Sequence, residues 1–236
     1  MGFVQAMASR LKWTARSFYF PNPVYRQATS PPAGFFDTIS NIIKLKIMKR
    51  AIIIHCWEGY PEYCWYPYVK KELESKGFQI EVPAFPDTEK PKLNEWLPML
   101  KEVAGEPSEE LYLVGHSLGC ITIMRYLESL NENQKIGGVV FVAGFTENVG
   151  YDEIKTFFEK PTDLDKIKSK VKNGFVAIHS DDDPYVDLKY ADLFKEKLGA
   201  EIIIKHGAKH FSGAIEGEDS CSDLPDVVQS VEKLAK

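Results

Sequence analysis

One serine in this sequence stands where a hydroxyl could be made into a nucleophile. Ser117 lies in Gly115-His116-Ser117-Leu118-Gly119, after the apolar run Leu111-Tyr112-Leu113-Val114 and before Ile121 to Leu130, where Ile121, Met124, Leu127 and Leu130 are apolar. A Gly-x-Ser-x-Gly between strand and helix reads as a nucleophile elbow. The glycines carry no Cβ, so backbone can close around the turn, and the serine hydroxyl is raised at the start of a helix. There the N–H of Leu118 is a natural donor to an oxyanion.

A serine hydroxyl needs a general base, and the base needs an acid to orient it. In this context the chain order is serine, acid, histidine. Of the five histidines, His55 and His116 precede Ser117, and His179 lies within an apolar strand-like run. His206 ends a run of strand character, and His210 lies in the loop beyond it, Gly207-Ala208-Lys209-His210-Phe211. A loop past a strand's carboxyl end lets a base lean over the serine, so His210 is favoured over His206. The acid is expected in Ser180-Asp181-Asp182-Asp183-Pro184. Asp183 is preferred, because Pro184 restricts its backbone, while Asp181 and Asp182 are better placed to cap local N–H groups. All three are read as surface turn acids. The second oxyanion donor is expected from the loop after the first strand, at the N–H of Trp57. Trp57, Glu58, Tyr60 and Tyr63 are expected to line the pocket, with Trp65 packing the loop down.

These residues require a scaffold that delivers several loops to one edge. Buried strands are expected over Ala51–His55, Phe78–Val82, Leu111–Val114, Ile136–Ala143, Phe175–His179 and Glu201–Lys205, on unbroken apolar or β-branched runs. Helical patterns separate them over Trp65–Ser75, Leu93–Val103, Ile121–Leu130 and Leu188–Leu198, and a closing helix is expected over Leu224–Ala235. Such alternation predicts a compact α/β fold of about six mainly parallel strands, with right-handed crossovers and helices on both faces. The longest connection, Gly144 to Asn173, holds two short helical patterns, Tyr151–Phe158 and Thr162–Val171. It is expected to supply a small lid rather than a large cap domain.

The chain of 236 residues is 44% hydrophobic and 27% charged, with a formal net charge of -5. That length suits one domain with a sizeable core. The charge and the absence of a basic stripe argue against nucleic-acid binding, and no apolar run is long enough to span a bilayer. The four cysteines, Cys56, Cys64, Cys120 and Cys221, have no metal-ligand spacing and read as free thiols of a reducing compartment. No metal or cofactor is called for, and a cytoplasmic setting is expected. Residues 1–47 differ, with Arg10, Lys12, Arg16, Arg26, Lys44 and Lys46 against the single acid Asp37. They are read as an N-terminal extension before a domain over 48–236, either disordered or the product of a non-native start. Organellar import is the other reading. Phe35–Ile47 has the pattern of a short amphipathic helix.

From about Lys49 to Ala235 the chain resembles the α/β-hydrolase family of retinoblastoma-binding protein 9 and its bacterial YdeN-type relatives. The resemblance is carried by Trp65-Tyr66-Pro67-Tyr68-Val69-Lys70-Lys71-Glu72-Leu73, Pro86-Asp87, Glu95-Trp96-Leu97-Pro98, the serine motif with Met124-Arg125-Tyr126, Asp182-Asp183-Pro184-Tyr185 and Gly207-Ala208-Lys209-His210-Phe211. It implies an α/β-hydrolase fold, a triad of Ser117, Asp183 and His210, and hydrolysis of small esters or amides. The chain departs from the family at Cys56, where relatives usually carry glycine. The expected reaction is cleavage of a small carboxylic ester or thioester through an acyl-enzyme on Ser117. Two alternatives stay open at this point: hydrolysis of short amides or peptides on the same residues, with Glu58 holding an amine, and a binding protein on a hydrolase scaffold.

Overall fold

The computed structural model describes residues 48–213 and 221–236. The expected helix over Phe35–Ile47, like the whole 1–47 extension, lies outside the described residues.

Six strands form one parallel sheet in the order β2-β1-β3-β4-β5-β6. They are β1 (Arg50–Ile54), β2 (Gln79–Glu81), β3 (Leu111–His116), β4 (Gly138–Val142), β5 (Phe175–Ser180) and β6 (Glu201–Lys205). The order reverses after β2, so the chain winds outward in both directions from β1 and β3. The helices between them are α1 (Tyr66–Ser75), α2 (Leu93–Ala104), α3 (Leu118–Glu128), α4 (Leu164–Ser169), α5 (Lys189–Leu198) and α6 (Pro225–Leu234), with a 3-10 helix over Asp152–Phe158.

Successive strand residues point to opposite faces, and the sequence fills both faces with apolar side chains. Ile52, Ile54, Leu113, Val139 and Phe141 pack with α2, α3, α4 and α5 through Trp96, Ile121, Ile167 and Phe194. Ala51, Ile53, Val114, Val140 and Ile178 pack on the other side with α1 and α6 through Tyr66, Leu73, Val227 and Val231. This explains the unbroken apolar runs, which a sheet covered on one face would not need.

Several expected boundaries shift. β3 continues through Gly115 and His116, and α3 opens at Leu118 rather than Ile121. β4 is trimmed to Gly138–Val142, and Ile136 instead makes an isolated bridge to Val171. Among the described residues no helix is long and apolar enough to cross a membrane.

Candidate active site

The turn between β3 and α3 is built around one strained residue. Ser117 has φ 53° and ψ -115°, a backbone state that costs a non-glycine residue of order 1–3 kcal/mol. The packing that enforces it needs both flanking glycines. A Cβ at Gly115 would lie 2.8 Å from Cα and N of Cys120, and one at Gly119 would lie 2.2 Å from the carbonyl oxygen of Ile54. The Ser117 N–H donates to the Val142 carbonyl at 2.9 Å, which ties the turn to β4.

His210 approaches from the loop after β6. Its Nε2 lies 2.9 Å from Ser117 Oγ, and its Nδ1 lies 2.8 and 3.0 Å from Oδ2 and Oδ1 of Asp183. The carboxylate only accepts, so Nδ1 carries the proton and Nε2 presents its lone pair to the serine hydroxyl. Asp183 comes from the loop after β5 and also accepts the N–H groups of Tyr185 at 2.9 Å and Val186 at 3.1 Å. The expectation that all three acids of this turn lie on the surface is corrected here. The Asp183 side chain is 2% exposed, because its four-way hydrogen bonding draws it under the loop. Asp182 accepts from Ser180 Oγ and the Lys209 N–H, and Asp181 accepts from the Gly207 N–H and pairs with the exposed His206. Those bonds hold the Asp182 carboxyl down at about 2, Ser180 being the largest contributor and Lys209 the next.

Leu118 opens α3, so its N–H has no intrahelical acceptor. Among the described residues the Trp57 N–H also finds no acceptor. Its direction is nevertheless fixed. The Cys56 carbonyl and the Trp57 N–H share one peptide plane. That carbonyl accepts from His55 Nδ1 at 2.8 Å and from the Gly59 N–H at 3.1 Å. His55 Nε2 in turn accepts the Phe85 N–H at 3.1 Å, so the ring is neutral with one defined tautomer. Burial lowers its pKa further. Cys56 is buried, and its thiol is free.

Ser117, Leu118 and His210 open onto a cavity of about 240 Å³. Trp57, Glu58 and Tyr63 line it from the β1 loop. Tyr60 does not, which corrects that assignment: its side chain turns outward, 52% exposed, with its ring 5.3 Å from Tyr63. The connection after β4 adds Phe145, Val149, Tyr151 and Ile154, none of which the sequence reading singled out. Their only sequence signal was their place in a long segment leaving a strand beside the serine. His179 is buried with Nε2 unpaired, and burial takes its pKa down to about 4.

A strained serine after a central parallel strand, a histidine on its hydroxyl and a buried carboxylate behind that histidine, on a sheet of this order, define an α/β-hydrolase. Comparison with known proteins is consistent with this. A family model described as Serine hydrolase matches residues 51–226. The YdeN protein of Bacillus subtilis is 32% identical over 165 residues, which covers 69% of this chain and 86% of YdeN. The solved structure of the B. subtilis ydeN gene product has a TM-score of 0.73, with 80% of this chain and 99% of that one covered. The serine hydrolase RBBP9 of Rattus norvegicus is 28% identical over 150 residues, covering 62% of this chain and 77% of that protein. Est1E of Butyrivibrio proteoclasticus shares the fold, with a TM-score of 0.60 at 17% identity and with 80% of this chain and 90% of that one covered. The chain belongs to the YdeN and RBBP9 type of serine hydrolase, and it is an enzyme of the α/β-hydrolase class.

Proposed function

We propose that the enzyme cleaves small carboxylic esters or thioesters through an acyl-enzyme on Ser117. The observation that carries this is the continuous hydrogen-bonded line from Ser117 Oγ through the His210 ring to a buried Asp183. His210 Nε2 takes the serine proton as Oγ attacks the acyl carbon, and later returns it to the leaving alcohol or thiol. Asp183 keeps the imidazole in the required tautomer and stabilises the cation that forms. The N–H groups of Leu118 and Trp57 receive the oxyanion, where charge develops. The cavity of about 240 Å³ supports a small acyl group. The four free thiols fit a reducing compartment, and we place the enzyme in the cytoplasm.

A fluorophosphonate probe tests the nucleophile. Folded wild type should label, and Ser117→Ala should abolish the label. No labelling of folded wild type would make this a binding protein on a hydrolase scaffold. A panel of acyl esters of rising chain length, set against aminoacyl amides, tests the substrate class. Short acyl esters should turn over best, and faster turnover of the amides would replace the ester reading.

A further inference from the structure

Beside the serine lies a second hydrogen-bonded line, buried from end to end. The Cys56 N–H meets Tyr66 Oη at 3.0 Å, Tyr66 Oη meets His116 Nδ1 at 2.7 Å, and His116 Nε2 meets the backbone carbonyl of His210 at 2.8 Å. Tyr66 and His116 are 0% exposed. For a neutral His116 ring, only one proton arrangement satisfies all three contacts. The His210 carbonyl can only accept, so His116 Nε2 carries the hydrogen and Nδ1 does not. The Tyr66 hydroxyl therefore donates to Nδ1, and its oxygen is left to accept from Cys56. A second proton on His116 would take away the Nδ1 acceptor and leave the Tyr66 hydroxyl hydrogen without its partner in the line. Burial, and next the neighbouring His210, keep His116 neutral with a pKa of about 3.

The ends of this line matter. One is the residue whose carbonyl shares a peptide plane with the Trp57 N–H. The other is the backbone of the histidine that touches Ser117 Oγ. The middle is the residue next to Ser117 in the turn itself. We infer that Tyr66 and His116 are a positioning pair, which holds the oxyanion loop after β1 and the His210 loop after β6 in one frame around the serine. Neither touches the reacting atoms. Each fixes the backbone of a residue that does, or of that residue's neighbour. The inference rests on the proposed roles of Trp57 and His210.

The test is Tyr66→Phe, which removes one oxygen and leaves the packing volume. Active sites are counted with the fluorophosphonate probe, and p-nitrophenyl acetate turnover is expressed per labelled site. We expect kcat per site to fall about tenfold with KM within about twofold, since small displacements remote from the chemistry cost up to about 10²-fold. His116→Leu reads the same line if the first variant does not fold, because it removes both the Nδ1 acceptor and the Nε2 donor while filling most of the ring's volume. The double variant should be little worse than either single one. Unchanged kcat per site in the single variants, or fully additive losses in the double, would overturn the pair. A wild type that neither labels nor turns over would overturn the proposed function, and the positioning role with it.

Discussion

Three adjacent aspartates share one turn, and their surroundings divide the work. Asp181 and Asp182 face backbone N–H groups and the exposed side chains of His206 and Lys209, whereas Asp183 alone reaches the His210 ring. Asp183→Asn keeps an oxygen for the Tyr185 and Val186 N–H groups, so the turn should survive. Its amide, however, favours the wrong imidazole tautomer. We expect kcat to fall by about 10³ to 10⁴, a loss of the size known from a well-studied triad protease. Asp181→Asn and Asp182→Asn should each stay within about tenfold of wild type. Steady-state kinetics of the three variants checks this, and a crippled Asp182→Asn beside a near-normal Asp183→Asn would move the acid by one residue.

At the level of elements, the connection after β4 is fastened rather than loose. Arg125, on α3, donates through Nε to the Phe157 carbonyl at 2.8 Å and through Nη2 to the Lys160 carbonyl at 2.7 Å. It pairs with Glu128, whose Oε1 accepts the Asp163 N–H at 2.8 Å. Burial works against the Glu128 charge, but hydrogen bonds from Lys160, Asp163 and Arg125 outweigh it and hold its pKa below the usual carboxylate range. The side chains of Arg125 and Glu128 are 1% and 3% exposed, so Glu128→Gln leaves a buried cation without its counter-charge. Such losses run to about 3–5 kcal/mol. Thermal melts should show that loss, and KM should rise more than kcat falls, because Tyr151 and Ile154 belong to the segment being released. Replacing Arg125 and Glu128 together by Met should recover most of the stability. The α3 boundary also shows what the sequence could not reveal. All eleven residues of α3 are buried, so no polar face marks where the helix begins. The strands were legible because both sheet faces demand apolar residues. Ser117, Asp183 and His210 were legible because chain order and turn chemistry are local. The outward turn of Tyr60, the burial of Asp183 and the Tyr66–His116 contact join or separate parts of the chain by tertiary packing, which spacing does not encode.

For the whole molecule, acid is the weak side. His55, His116 and His179 are all buried with lowered pKa values, His116 at about 3 and His179 at about 4, with desolvation the largest cause in each. Unfolding releases them to the ordinary histidine value of about 6.5. Below that value the unfolded chain binds protons that the folded one refuses. Their contribution is therefore complete above about pH 7 and is lost as pH falls from about 6.5 toward 4 and 3. The melting temperature should be level from pH 8 to 7 and drop steeply between pH 6 and 4. A curve that stays flat from pH 7 to 5 would contradict this.

The order in which the chain is made adds a further consequence. Helix α6 covers the sheet face built by Val114, Val140 and Ile178. Its last turn is stitched to distant parts of the chain: Asn173 Nδ2 donates to the Leu234 carbonyl at 2.7 Å, and Lys49 Nζ donates to the Ala235 carbonyl. A chain leaving the ribosome therefore carries an uncovered apolar sheet face until residues 225–235 have emerged. The Ser117 turn is made early, but it meets His210 only after β6 and the loop beyond it have been made. Such a nascent chain should hold no hydrolytic activity and should depend on chaperone cover, and a protein truncated before Pro225 should be made as a sticky, inactive product.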